Sequence, residues 1–298
     1  MALTNEDKKK LEEILTRTGA HREAGKIEKR IPEDYAAYGE LVERQETMLS
    51  VPEAATPVRC VITMAKDRGV GCPVHVNMHG GGFIFLQDQD DDLYCARVAA
   101  EIHGIVVDID YASSREHPYP MAFDQCYGVV RWAFGQCETW GADPAKVSMG
   151  GHSAGGCLVA AIAMKAAKTG DFKTCLQILD YAALDNDAAF GEHGNERSQA
   201  FSTYYVDGDL EMLKDPYVSP AFAETVQMGG QPRALIINAK NCPFCEVNEE
   251  YGKRLAAAGN EVVMKRFLNS RHGFTIRLVD EWREAQDLII REILAGGK

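Results

Sequence analysis

The sequence predicts an α/β fold, a mostly parallel central sheet with helices on both faces. Three observations carry this reading. Strand-like runs alternate with helical ones along most of the chain. The runs Ile105-Val106-Val107 and Leu235-Ile236-Ile237 are continuously apolar, as strands covered on both faces are. Residues 146–168 read as strand, tight turn and helix around Gly151-His152-Ser153-Ala154-Gly155.

The elements follow in order. Residues 1–50 are charged and read as mostly helical. Strands are expected at 58–64, 74–78, 105–111, 146–149, 176–181, 234–238 and 262–267. Helices separate them. Cys126, Val130 and Phe134 recur four apart, as do Val247, Tyr251 and Leu255. Residues 154–168 are alanine-rich and free of proline, which favours a helix directly after Ser153. Trp282, Ala285, Ile289 and Ile293 give the last helix an apolar stripe. Residues 185–230 break the alternation, and Phe190, Phe201, Tyr204, Tyr205 and Met212 make that stretch too aromatic for disorder. With 298 residues, the chain is expected to form a single domain, 1–298.

Composition excludes several classes of function. A net charge of −12 argues against nucleic acid and against anionic membrane surfaces. The first ten residues are polar and charged, without the apolar core of a secretory signal. No stretch reaches the ~20 apolar residues of a membrane span. A soluble, cytoplasmic protein is therefore expected. Nine cysteines are scattered along the chain, which fits reduced, buried thiols. Cys242-Pro243-Phe244-Cys245 is a lone C-x-x-C with no second ligand pair, so neither a metal nor a cofactor is expected.

Two glycine motifs carry the chemistry. Gly151 to Gly155 is G-x-S-x-G, which sets a serine at the tip of a strand-to-helix turn. His79-Gly80-Gly81-Gly82-Phe83 is an HGGG loop, whose bare backbone N–H groups can face a developing oxyanion. Together they predict acyl transfer through Ser153. The expected oxyanion donors are the N–H groups of Gly81, Gly82 and Ala154, the last at a helix N-terminus whose dipole favours negative charge. A serine hydroxyl needs a base. His272 follows the last strand and is the candidate, because such folds order their triads as serine, acid, histidine. His79 is read as bracing its loop. His152 is read as a local hydrogen-bonding residue facing away from the nucleophile. Phe83 and Phe85 fit either the pocket wall or the core.

These motifs resemble those of the hormone-sensitive-lipase family of esterases, which have the α/β-hydrolase fold. The HGGGF run matches, as do Gly151 to Gly156 (GHSAGG), Ser219-Pro220 and His272-Gly273-Phe274. The segment Tyr111-Ala112-Ser113-Ser114-Arg115-Glu116-His117-Pro118-Tyr119-Pro120-Met121-Ala122 resembles that family's YRLAPEHPFPAA. The resemblance implies a helical cap over the site, with elements near 1–50 and 185–230.

It also exposes a departure. The family's acid is an Asp before a proline, and the matching residue here is Cys242. A neutral thiol gives an imidazolium little help. Glu246, about one helical turn further on (~5.4 Å), is the expected substitute. Asp185, after the preceding strand, and the absence of any acid are the alternatives.

The sequence thus reads as a serine carboxylesterase acting on small acyl esters through Ser153, His272 and Glu246. The alternatives are a small-molecule-binding protein with weakened catalysis, or a lyase or acyltransferase on the same fold. The expected partner is a small ester. A homo-oligomer is left open.

Overall fold

The computed structural model describes residues 3–28, 31–192 and 194–296. Residues 1–2, 29–30 and 193, which belong to the expected cap stretches, lie outside the described residues, and so do 297–298. The described residues form an eight-stranded sheet in the order β1-β2-β4-β3-β5-β6-β7-β8. The strands are β1 (Val42–Leu49), β2 (Val58–Ala65), β3 (Cys72–Met78), β4 (Ile105–Asp110), β5 (Ala142–His152), β6 (Leu176–Asp180), β7 (Arg233–Asn241) and β8 (Val262–Arg271). β1 and β2 run antiparallel at one edge, and all pairings from β4 through β8 are parallel.

The α-helices are α1 (Asn5–Glu28), α2 (Glu33–Ala36), α3 (Gln89–Glu101), α4 (Met121–Trp140), α5 (Ala154–Thr169), α6 (Glu196–Tyr205), α7 (Cys245–Ala257), α8 (Phe274–Arg277) and α9 (Trp282–Ala295). Local chemistry marks their ends. Asp88 and Asp91 form a capping box that starts α3, and Gly141 and Gly170 end α4 and α5 in the left-handed conformation.

Helices α4, α5 and α7 bury Val130, Leu158 and Leu255 against one face of the sheet. Helices α3 and α9 bury Val98 and Ile289 against the other. The central strands are enclosed on both sides, which explains their apolar runs. A Cβ on Gly155 would run into the Met78 carbonyl, and one on Gly156 would sit 2.6 Å from the Ala182 Cβ. Glycine here lets α5 start directly above the ends of β3 and β6.

The N-terminal stretch departs from expectation at β1. By sequence, residues 42–49 belong to a charged segment expected to be mostly helical. They form an edge strand whose polar side chains face solvent while its backbone pairs with β2. Upstream, Leu15 of α1 packs with Ile84, Ala200 and Tyr204, which joins α1 to α6. The Tyr204 hydroxyl donates to Glu12, and Arg17 pairs with Glu196. The nine cysteines are free thiols, eight of them buried.

Candidate active site

The elbow is a strained turn with specific supports. Ser153 has φ +55°, a region that β-carbons disfavour. Its N–H donates to the Asp180 carbonyl at 3.0 Å, and its own carbonyl accepts from Ala183 at 2.9 Å and Cys157 at 3.2 Å. The ends of β6 and α5 therefore hold the serine in place. His152, one residue earlier, points away from it. Its Nδ1 lies 2.8 Å from Asp180 Oδ2, with both side chains buried and the Tyr94 ring edge-on at 4.7 Å. Burial raises the Asp180 pKa, and the hydrogen bond from His152 opposes that rise. This is the local hydrogen-bonding role expected of His152. Its partner comes from the neighbouring strand, which nothing in the sequence singled out.

His272 leaves the end of β8 and reaches back to the elbow. Its Nε2 lies 3.0 Å from Ser153 Oγ. Its Nδ1 lies 3.1 Å from Cys242 Sγ. Tyr181 and Phe244 meet the imidazole edge-on at 4.9 and 5.4 Å, which fixes its plane. Burial, with added repulsion from Arg277 and Arg197, pushes the ring's pKa down to about 3. Burial also pushes the Cys242 thiol up to about 12, so it is uncharged at neutral pH.

The acid expected from the sequence is not at this ring. Glu246 lies in the first turn of α7 with its side chain exposed, while Cys242, at the end of β7, fills the position against Nδ1. One helical turn carries Glu246 past the strand end and out to solvent. Asp185 is engaged elsewhere, accepting from the Ala188 N–H at 3.0 Å.

The glycine loop passes over the serine. A Cβ on Gly80 would stand 3.6 Å from the Ser153 Cβ. Gly81 and Gly82 have φ +132° and +64°, and a Cβ on Gly82 would collide with the Phe201 ring of α6. His79 braces the loop, stacking on Tyr111 at 4.0 Å while its Nδ1 lies 2.7 Å from the Gly80 carbonyl. The Ser114 N–H and the Ser113 hydroxyl tie Phe83 and Ile84 to the segment after β4. Ala154 opens α5, so its N–H points out of the helix end beside Ser153. Phe83 is a packing residue, buried and stacked on Tyr205 at 3.7 Å. Phe85 meets Phe201 edge-on at 6.1 Å.

The alpha/beta hydrolase fold family matches residues 75–276, more than half of the chain and a span that holds both glycine motifs and His272. The chain belongs to that family. Esterase LipI of Mycobacterium tuberculosis is 30% identical over 212 residues, covering 68% of this chain and 65% of LipI. The match therefore spans less than two thirds of that relative's length. Human hormone-sensitive lipase is 33% identical over 95 residues, 32% of this chain and 9% of the lipase. An esterase from Pyrobaculum calidifontis superposes with a TM-score of 0.80 at 24% identity over 98% of both chains, a likeness of fold. The resemblance read from the motifs holds. Among the described residues no helix is long and apolar enough to cross a membrane, and no cluster of three or more His, Cys, Asp or Glu is placed to hold a metal ion.

Proposed function

We propose that the protein is a serine carboxylesterase acting on small acyl esters. The observation that carries this reading is the 3.0 Å contact between His272 Nε2 and Ser153 Oγ, at an elbow overhung by the glycine loop. Relatives named as esterases support it.

The chemistry follows from the geometry. Ser153 Oγ attacks the ester carbonyl while its proton passes to His272 Nε2. The negative carbonyl oxygen is held by the N–H groups of Gly81, Gly82 and Ala154. His272 returns the proton to the leaving alcohol as the C–O bond breaks. Water, deprotonated by the same nitrogen, then releases the acid and restores Ser153. Nδ1–H donates to the Cys242 sulfur, which leaves the Nε2 lone pair facing the serine. Cys242 takes the place proposed from sequence for Glu246. Helices α1 and α6 act as the cap. The chain folds as a single α/β-hydrolase domain.

Ser153→Ala should abolish hydrolysis of 4-nitrophenyl butyrate and labelling by a fluorophosphonate probe. Wild-type rates in that variant would overturn the assignment. The lack of a carboxylate at Nδ1 favours a second reading, a binding protein with weakened catalysis. A wild-type protein that neither turns over simple aryl esters nor reacts with the probe would select it.

A further inference from the structure

Among the described residues, the arginines of this acidic chain are almost all engaged. Arg59 pairs with Glu46 and Asp110, Arg266 with Glu249, and Arg254 donates to the carbonyls of Ala221 and Ala223. Among the described residues, Arg197 and Arg277 have neither an ion-pair partner nor a hydrogen-bond acceptor, and both are exposed.

Both also lie at the candidate site, and they reach it from different elements. Arg277 ends α8 and folds back over the residue that follows His272, with its Nε 3.1 Å from where a Cβ on Gly273 would stand. Arg197 lies in the first turn of α6, four residues before Phe201. Residues four apart share a helix face, and Phe201 is the ring packed against Gly82 of the oxyanion loop. Arg277 thus stands beside the base, and Arg197 shares a helix face with the ring that covers the loop. Both are close enough to His272 to disfavour its protonation, and Cys242 on the far side of the ring is neutral.

That arrangement is costly for a neutral substrate. His272 must become an imidazolium during the reaction, and two unanswered cations oppose it. The cost disappears when the ligand brings the counter-charge. We propose that the site takes small esters bearing a carboxylate or comparable anionic group, held by Arg197 and Arg277. The proposal rests on the esterase reading, and the bond changes are those given above. The ligand's anion pairs with the two guanidinium groups, where Arg offers planar, bidentate recognition. In doing so it shields His272 from their charge, so it improves both KM and kcat.

The test compares esters matched in size. On the acyl side these are mono-4-nitrophenyl adipate and 4-nitrophenyl hexanoate. On the alcohol side they are 4-acetoxybenzoate and phenyl acetate. The expected result is a kcat/KM about tenfold higher for the anionic member of at least one pair, from about fivefold or less per exposed charge pair. The advantage should shrink between 0.1 M and 1 M salt, as the screening length falls from about 10 to about 3 Å. Arg277→Gln and Arg197→Gln should each lower the anionic-to-neutral ratio about threefold, and Arg277→Lys should retain only the part that charge alone supplies. The ratio is the readout because removing a cation also changes the basicity of His272 for every substrate. Binding of the adipate and hexanoate esters to Ser153→Ala, followed by calorimetry, separates the two readings. Tighter binding of the adipate, lost in Ser153→Ala/Arg277→Gln, supports the anion site even where wild-type turnover is absent. Equal binding within both ester pairs, measured the same way, or a ratio unmoved by both Gln variants, overturns it.

Discussion

Replacing Cys242 with Asp should accelerate the proposed ester hydrolysis and move its pH profile. The sulfur sits 3.1 Å from His272 Nδ1 and is 6% exposed, so a carboxylate of similar size would face the ring at close range. Opposite charges about 4 Å apart attract by about 4 kcal/mol at an effective dielectric of 20. Taking the carboxylate out of water cancels part of that. A net gain of about 1.5–3 kcal/mol corresponds to about 10- to 100-fold in kcat/KM. This lies within the ~10⁴ that an orienting Asp supplies in a serine triad. The sign for pH follows. The imidazole is now held down near 3, and a neighbouring carboxylate stabilises its charged form, so its pKa must rise. Activity is lost as pH falls through that pKa, so the acid limb should move up by about 1–2 units. The assay is the pH dependence of 4-nitrophenyl butyrate hydrolysis from pH 4 to 9, with Tm checked in parallel. Glu246→Gln serves as the contrast and should stay within about twofold, because the residue is exposed and away from the ring. A folded Cys242→Asp protein with an unmoved acid limb and rate would refute the coupling of Nδ1 to the reaction.

Gly82→Ala should lower kcat by about 10²–10³ by displacing the oxyanion loop. Adding Phe201→Ala should restore part of that in steady-state assays, because the new methyl collides with that ring. Asp108 is buried, with one oxygen accepting from Asn77 at 2.7 Å, and burial raises its pKa to about 7. A raised carboxylate stabilises the fold below its unfolded pKa of about 3.9 and loses that contribution as pH rises through 7. Asp108→Asn should remove a slope of up to about 1.4 kcal/mol per pH unit across that window, read from urea midpoints at pH 4 to 8. His152→Phe removes the hydrogen-bond partner of the buried Asp180 side chain and should cost about 1–3 kcal/mol in urea unfolding. Asp180→Asn in the same background should recover much of it.

What the sequence disclosed depended on the range of the interaction. The candidate nucleophile, its glycines and the layered architecture are local patterns, and the continuous apolar runs at 105–107 and 235–237 required helices on both faces. The strand β1 was hidden because Val-Glu-Arg-Gln-Glu is as polar as a solvated helix, and only pairing with β2 makes it extended. The partner of His272 was half legible. The motif pointed to position 242, but chemistry favoured a carboxylate, and Glu246 was the nearest one. Its distance from the ring depends on how α7 leaves β7, which spacing alone does not fix. The joining of α1 to α6, and the approach of Arg197 to His272, involve segments far apart in the chain and leave no local trace.

Ser153 and its proposed base are 119 residues apart, and that base directly follows β8. A chain emerging from the ribosome presents the elbow long before β8 exists. Domains form largely as the polypeptide is made, so the first hundred residues after Ser153 pass with an unactivated hydroxyl. On the proposed mechanism, reactivity arrives when β8 docks on β7 and brings His272 across. On that mechanism, partial folds of this protein are therefore chemically silent, and Ser153 can be acylated only once β8 has been made and has docked.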